Sequence, residues 1–277
     1  MAVVIPQFGL NFPFELVDMI IDYNHSDQPT LMACALVARQ WTSRSRFHLF
    51  SKVDISHSNA RQFINILSAP SCTFTMLVHQ LDVHLVPGSQ KWFNEFSRRL
   101  SLLDDVLITS LGILGAKLTI FREEAQEAAS SLYPNIRSLT VSTVSFETLS
   151  DFVSFVCGFR MLHSLSCSAI ILSPCSTVQR RFSAPLSTLN LTSPSIKLIL
   201  DYLRDSSTAL PFLTSLTLSH LTFEDCVSFK AFLETPNTSL RELSVKVDMA
   251  ASGVSLGPSA FMLACYLFKK ISTCILT

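Results

Sequence analysis

Charged residues are scarce in this chain, and the charges that it carries cancel. Asp, Glu, Lys and Arg together make up 15% of the sequence, with 21 basic and 21 acidic side chains, whereas about a quarter is usual. Because basic and acidic residues are equal in number and no run of basic residues occurs, electrostatic attraction does not favour binding to nucleic acid or to an anionic membrane. We therefore expect neither partner. Hydrophobic residues make up 48%, which argues against disorder and provides for a sizeable core.

The motifs of several enzyme classes are also missing. Glycine occurs only seven times, and the stretch from Gly112 to Lys117 has too short a spacing for a phosphate-binding loop. The chain has no Gly-x-Ser-x-Gly elbow of the serine-hydrolase type. A cluster of three glutamates fits a solvated helix face better than acid–base catalysis: Glu123, Glu124 and Glu127. We therefore predict no catalytic residue, no cofactor and no metal.

The distribution of cysteine and of apolar runs points to the cell interior. Eight cysteines are scattered without a Cys-x-x-Cys pair, which favours reduced and buried thiols. The amino terminus lacks the basic and apolar regions of a signal peptide. The apolar run from Ala260 to Phe268 is shorter than the roughly twenty residues that cross a bilayer. We expect a cytoplasmic or nuclear protein.

The segment near the start of the chain contains closely spaced sequence signals for three helices. Pro13 suits the first turn of a helix and Glu15 complements the helix dipole. An apolar stripe follows at helical spacing, formed by Leu16, Met19, Ile20 and Tyr23. After a polar break, Asp27 is a good N-cap for a second helix, and a third follows up to Phe50. Three short helices enclose only a small core, so the excess apolar surface must face the rest of the chain or another protein.

The segment resembles an F-box. The family pattern opens with Leu-Pro-x-Glu-Leu and closes on Val-(Cys)-(Lys/Arg)-x-Trp; here the opening is Phe12-Pro13-Phe14-Glu15-Leu16 and the close is Val37-Ala38-Arg39-Gln40-Trp41. Phe12 replaces the first Leu, and Ala38 stands where Cys is usual. The resemblance implies docking on a Skp-family adaptor of a cullin–RING ubiquitin ligase. The expected contact or contact-shaping residues are Pro13, Leu16, Ile20, Leu36, Val37 and Trp41. An internal anchoring role for Trp41 stays open.

A phrase of the form apolar-x-x-Leu-x-apolar recurs in the rest of the chain. Measured at the central Leu, successive copies are 24 to 30 residues apart, and helical patterns lie between them, over 91–103, 146–157, 196–204 and 223–233. A period of this size is typical of a solenoid, and the phrase resembles the strand half of leucine-rich repeats. The central leucines are Leu81, Leu111, Leu139, Leu165, Leu189, Leu216 and Leu243, with a weaker copy around Leu111.

These patterns predict an α+β or α/β solenoid fold with four parts. They are an F-box-like three-helix domain over 10–50, a connecting segment over 51–75 with a short strand over 52–55 and a helix over 59–67, an irregular leucine-rich-repeat-like array over 76–249, and a cap or atypical tail over 250–277. The family's Asn or Cys after the third apolar residue is not clearly placed in any copy. An ordinary α/β domain with similar strands is the alternative.

Alternate residues of each predicted strand point away from the core. This outward set is rich in Ser and Thr and nearly uncharged, so it can hydrogen-bond a partner with little selection by charge; solvent-facing strands also favour Ser and Thr without any partner. We assign weak target-binding roles to Thr140, Ser142, Ser166, Ser168, Asn190, Thr217 and Ser219. The outward set includes Gln80, Asp82 and His84.

The resemblance predicts a substrate-recognition adaptor of a Skp–cullin–F-box ubiquitin ligase that binds an unknown protein substrate and catalyses no reaction itself. A leucine-rich-repeat scaffold without a link to ubiquitin ligation is the alternative, and it predicts that Leu16 and Ile20 are buried within the chain. A further alternative is a hydrolase or transferase whose active site no sequence motif indicates. It predicts a deep pocket with converging polar groups.

Overall fold

The computed structural model describes residues 13–87, 91–103, 107–121, 126–127, 129, 135–173, 185–192, 194–205, 212–234 and 239–247. Phe12, Glu123, Glu124 and the predicted tail over 250–277 lie outside this part. The described helices are α1 (Phe14–Tyr23), α2 (Gln28–Val37), α3 (Arg39–Ser51), α4 (Ala60–Leu67), α5 (Lys91–Leu100), α6 (Leu149–Cys157), α7 (Ile196–Asp205) and α8 (Phe223–Glu234).

The described strands form one sheet in which every pair is parallel. The strands are β1 (Lys52–Ser56), β2 (Gln80–Leu85), β3 (Ser110–Ile120), β4 (Ser138–Phe146), β5 (Ser164–Ser168), β6 (Ile171–Leu172), β7 (Thr188–Thr192), β8 (Ser215–Leu221) and β9 (Glu242–Val247). Their order in the sheet is β1-β2-β3-β4-β5-β7-β8-β9, with β6 pairing β4. The protein is therefore a mixed helix–strand structure on a parallel sheet.

The central leucine of each phrase pairs with the next one across the sheet. Leu81 is opposite Leu111, Leu111 is opposite Leu139, and the register continues without a slip to Leu243. The first six of these side chains are at most 1% exposed. Because a slip of one residue would turn every such leucine to the other face, burial of this row fixes the register. The strand prediction is confirmed, including the copy at Leu111 and the short strand that begins at Lys52.

A repeated backbone contact precedes each strand. The carbonyl two residues before the central leucine accepts two N–H groups from the next unit; for example, His79 O accepts from Thr109 N at 2.9 Å and from Ser110 N at 3.0 Å. The same pair of bonds recurs at Arg137 and His163. These repeated hydrogen bonds satisfy backbone N–H and C=O groups at the points where successive chain segments enter the sheet.

Three strands, β4, β5 and β8, have an inserted residue in the left-handed region, either within the strand or directly after it. Thr143, Ala169 and His220 have φ values of 56°, 49° and 60°, a conformation that costs a non-glycine residue about 1 kcal/mol or more. Each lies four residues after its central leucine, and each is followed by a side chain that is at most 1% exposed, namely Val144, Ile170 or Leu221. The inserted residue thus returns a further apolar side chain to the core.

The helices that follow the strands pack on the core by their apolar faces. Phe152 of α6 is fully buried and lies edge-on to Phe146, with 5.2 Å between ring centroids. The predicted helix over 146–157 begins later, at Leu149, because Phe146 ends β4. Thr148 then caps the helix, accepting from Asp151 N at 3.2 Å and donating its own N–H to the Asp151 carboxylate at 2.9 Å.

Candidate functional site

Helix α1 presents its predicted apolar stripe to solvent. Its buried positions are Val17 and Ile21, which face the other two helices. Leu16 is 45% exposed and Ile20 is 44% exposed. Met19 and Tyr23 of the same stripe are exposed as well. The helix therefore has a narrow buried edge and a broad apolar outer face.

Helix α2 repeats this arrangement. Asp27 caps it as predicted, accepting from Thr30 N at 3.3 Å and from the Thr30 hydroxyl at 2.7 Å. Leu31 and Cys34 are its buried residues. Three apolar side chains of α2 are left exposed: Met32, Leu36 and Val37.

The three helices share a very small core. Its buried members are two residues of α1 and two of α2, and Trp41 and Leu49 of α3 pack against them while staying half-exposed. Both roles considered for Trp41 therefore have structural support, since it contacts the internal core and keeps part of its surface accessible. Pro13 is exposed immediately before α1. We call the exposed apolar set of α1 and α2 the helical apolar surface: Phe14, Leu16, Met19, Ile20, Tyr23, Met32, Leu36 and Val37.

A carboxylate on α1 joins α1 to α3. Asp22 Oδ1 accepts from Arg44 Nε at 2.5 Å and from His48 Nε2 at 2.7 Å, and Asp22 Oδ2 accepts from the Arg44 guanidinium at 2.7 Å. These hydrogen bonds hold the pKa of the Asp22 carboxyl well below its usual range. No local sequence pattern indicates this cluster, because Arg44 and His48 lie 22 and 26 positions from Asp22.

Helix α3 runs directly into β1, and its last turns contact the segment before β2. The rings of Phe50 and Phe74 stack with centroids 4.3 Å apart, and Arg46 donates to Thr73 Oγ1. Ser51 O accepts from His79 N at 3.0 Å. A cleft of about 400 Å³ opens beside this junction, between α3, α4 and residues 69–74.

The predicted target-binding side chains lie together on one face of the sheet. Thr140, Ser166, Asn190 and Thr217 occupy the same row on four consecutive strands. Ser142 and Ser168 lie opposite each other two positions further on, with their hydroxyl oxygens 2.8 Å apart. All of these residues, and Ser219 with them, are half-buried. The sheet thus presents a continuous row of neutral hydrogen-bonding groups.

Asp82 belongs to the outward set, but it is only 7% exposed, so this outward position is not open to solvent. Its carboxylate accepts from Lys52 Nζ at 2.8 Å and from Gln80 Nε2 at 3.2 Å. The opposite residue on β3 is Gly112, where an added Cβ would lie 2.3 Å from Asp82 Oδ1. The missing side chain at Gly112 gives the carboxylate room to lie against the sheet. A glycine at an outward strand position was the available signal in the sequence.

The described residues contain no group of three or more His, Cys, Asp or Glu side chains that could hold a metal ion. Burial raises the pKa of the Cys167 thiol, which disfavours its reactive thiolate form. Within the described ranges, no helix is both long and apolar enough to cross a membrane.

Comparison with known proteins assigns the chain to no family. No protein-family model matches it, and no curated protein gives a significant match. The resemblances to the F-box and to leucine-rich repeats therefore stay predictions that depend on the motifs quoted above.

Proposed function

We propose that the protein is a substrate-recognition adaptor of a Skp–cullin–F-box ubiquitin ligase. The three helices α1 to α3 act as the F-box that docks on a Skp-family adaptor, and the sheet region binds a protein target. The observation that carries the proposal is the helical apolar surface. Eight large exposed apolar side chains on a unit whose core has four buried apolar residues are typical of a surface that a partner covers.

The position of the exposed residues supports the F-box assignment further. Leu16 and Ile20 belong to the Pro-x-Glu-Leu opening and the aliphatic positions after it, and Val37 begins the Val-x-Arg-x-Trp close. All three are exposed, Leu16 and Ile20 on α1 and Val37 at the end of α2. The same residues that carry the sequence resemblance are therefore available for contact with an adaptor.

We propose that the sheet region is an irregular leucine-rich-repeat-like solenoid. The in-register leucines, the parallel strands in near-sequential order and the helices between them support it. Leucine-rich repeats have an Asn or Cys three residues after the third apolar residue. In three copies of this chain, the buried side chains of Val144, Ile170 and Leu221 occupy that position. An apolar side chain therefore takes the place of the Asn or Cys in these copies.

Such a protein carries out no bond chemistry. It holds a target close to the ubiquitin carrier that the ligase binds, and linked sites of this kind raise the effective concentration to about the millimolar range. The neutral hydroxyl row on β4, β5, β7 and β8 would contact the target through hydrogen bonds with little electrostatic steering. The junction between α3 and β1 joins the two binding regions through direct contacts.

Co-purification with a Skp-type adaptor tests the proposal. The wild-type chain should bind the adaptor, and the double variant Leu16→Asp plus Ile20→Asp should lose binding by at least about 100-fold, because two charges would be buried at the interface. The matched control is Met161→Asp plus Val227→Asp, which changes two exposed apolar side chains of the sheet region. It should bind like the wild type.

Unchanged binding of the Leu16/Ile20 variant, or equal loss in the control, would refute the assignment. Circular dichroism of both variants separates lost contact from lost fold. The alternative scaffold function required Leu16 and Ile20 to be covered by the chain, and their exposure argues against that arrangement.

A further inference from the structure

Helix α1 has few stabilising interactions within its own residues. It has ten residues, a length at which an isolated helix is marginal in water. Only Val17 and Ile21 are buried, and the Pro13 N-cap provides no side-chain hydrogen bond. Nevertheless α1 carries five of the eight members of the helical apolar surface, from Phe14 to Tyr23. Its orientation must therefore be maintained by contacts beyond these two apolar side chains.

Asp22 occupies a position that is locally unfavourable. It lies in the last turn of α1, where the partial negative charge of the helix dipole repels a carboxylate. The Arg44 guanidinium grips both carboxylate oxygens, and His48 adds a third hydrogen bond. Arg44 is itself held over the ring of Phe47, 5.1 Å from its centroid. The Asp22 carboxylate is unfavourable within its own helix, but two residues of α3 pair with it. This pairing indicates that Asp22 stabilises the packing of α1 against α3.

We infer that Asp22 is a positioning residue for the proposed adaptor-docking surface: its carboxylate clamps α1 to α3 through Arg44 and His48 and so fixes the angle at which Leu16 and Ile20 are presented. The expected effect of Asp22 on adaptor binding rests on the proposed function. The clamp itself is a property of the free protein and can be measured without the adaptor.

The first test is hydrogen exchange of the free, full-length chain. Asp22→Asn should speed exchange of the α1 amides about fivefold or more and leave the β3–β5 amides unchanged, because local opening is governed by local contacts. Asp18→Asn is the matched control, since Asp18 is an exposed carboxylate one turn earlier that attracts Arg44 through charge and not through the two hydrogen bonds that Asp22 accepts from it. Unchanged α1 exchange in Asp22→Asn, or equal acceleration in Asp18→Asn, would overturn the clamp.

The second test is a cycle of adaptor-binding measurements. Asp22→Asn and Arg44→Gln should each weaken binding about tenfold, and the double variant should be no weaker than the worse single variant, because both changes break one contact. Asp22→Glu keeps the charge and should recover most of the affinity. Additive losses, or a Glu variant as weak as the Asn variant, would overturn the positioning role.

The two tests separate the inference from the function on which it rests. If the wild-type chain binds no adaptor while Asp22→Asn still loosens α1, the clamp exists and the proposed function fails. If the wild type binds the adaptor and Asp22→Asn binds equally well, the function stands and the positioning role fails.

Discussion

The three-helix unit and the sheet region bury their apolar residues very differently. The helical unit encloses four buried apolar side chains, whereas the core of the sheet region runs continuously from Ile55 to Phe232. In the sheet region each unit covers the core of the previous one, so apolar residues added along the chain become buried. In the helical unit no further layer of described residues covers the outer faces of α1 and α2, and the helical apolar surface stays exposed. Apolar content alone therefore does not tell which residues stabilise the fold.

Replacing one phenylalanine in each region gives the sharpest contrast. Phe152→Ala in α6 should lower the free energy of unfolding by about 3–5 kcal/mol, because it leaves a cavity in a close-packed core. Phe14→Ala removes the same atoms from a side chain that is 65% exposed and should change stability by no more than about 0.5 kcal/mol. Urea unfolding followed by circular dichroism measures both. Similar losses in the two variants would contradict the comparison.

Gly112→Ala tests whether the outer face of the sheet is also tightly packed. The new Cβ would clash with the Asp82 carboxylate, which Lys52 and Gln80 hold in place, so we expect a loss of about 1–3 kcal/mol. Adding Asp82→Ala should remove the clash and make the double variant more stable than the sum of the single effects predicts. Strictly additive losses in denaturant unfolding would show that the two residues do not compete for space.

Asp225→Ala tests how neighbouring units of the sheet region are coupled. One carboxylate oxygen accepts from Thr222 N at 2.8 Å before α8, and the other accepts from Lys197 N of α7 at 3.0 Å. Losing both bonds should cost about 1–2 kcal/mol. Thr148→Ala, which removes a cap confined to one helix, should cost less. Equal losses in thermal unfolding would mean that the bond to α7 adds nothing.

The smallest effect concerns pH and the helical unit. The pKa of Asp22 is lowered by its hydrogen bond to Arg44 and then by that to His48, so its contribution to stability is fully present above the unfolded pKa of about 3.9. The contribution is lost as the pH falls below that value towards the lower folded pKa. Because the side chain is 41% exposed, solvent limits it to about 1 kcal/mol. Protection factors of the α1 amides, corrected for the intrinsic exchange rate at each pH, should fall between pH 6 and pH 3 in the wild type and fall less in Asp22→Asn.

Local patterns predicted most of the strands and helices. The phrase around each central leucine specified a buried strand because alternate apolar residues leave one face to be covered, and Asp27 and Pro13 marked helix starts correctly. The start of α6 was misplaced because Phe146 fits a helical stripe and a strand equally well. The burial of Asp82 depends on Gly112, thirty positions away, so the glycine signal has meaning only once the strand pairing is known.

The sequence by itself determined the period of the sheet region, the inward leucines and the apolar excess of the first three helices. Tertiary structure alone decided that this excess faces solvent, that Asp22 meets Arg44 and His48, and that Asp82 is buried. The reason is physical: secondary structure follows from side-chain spacing and backbone preference over a few residues. The environment of a polar or apolar side chain depends instead on which distant segment is packed against it.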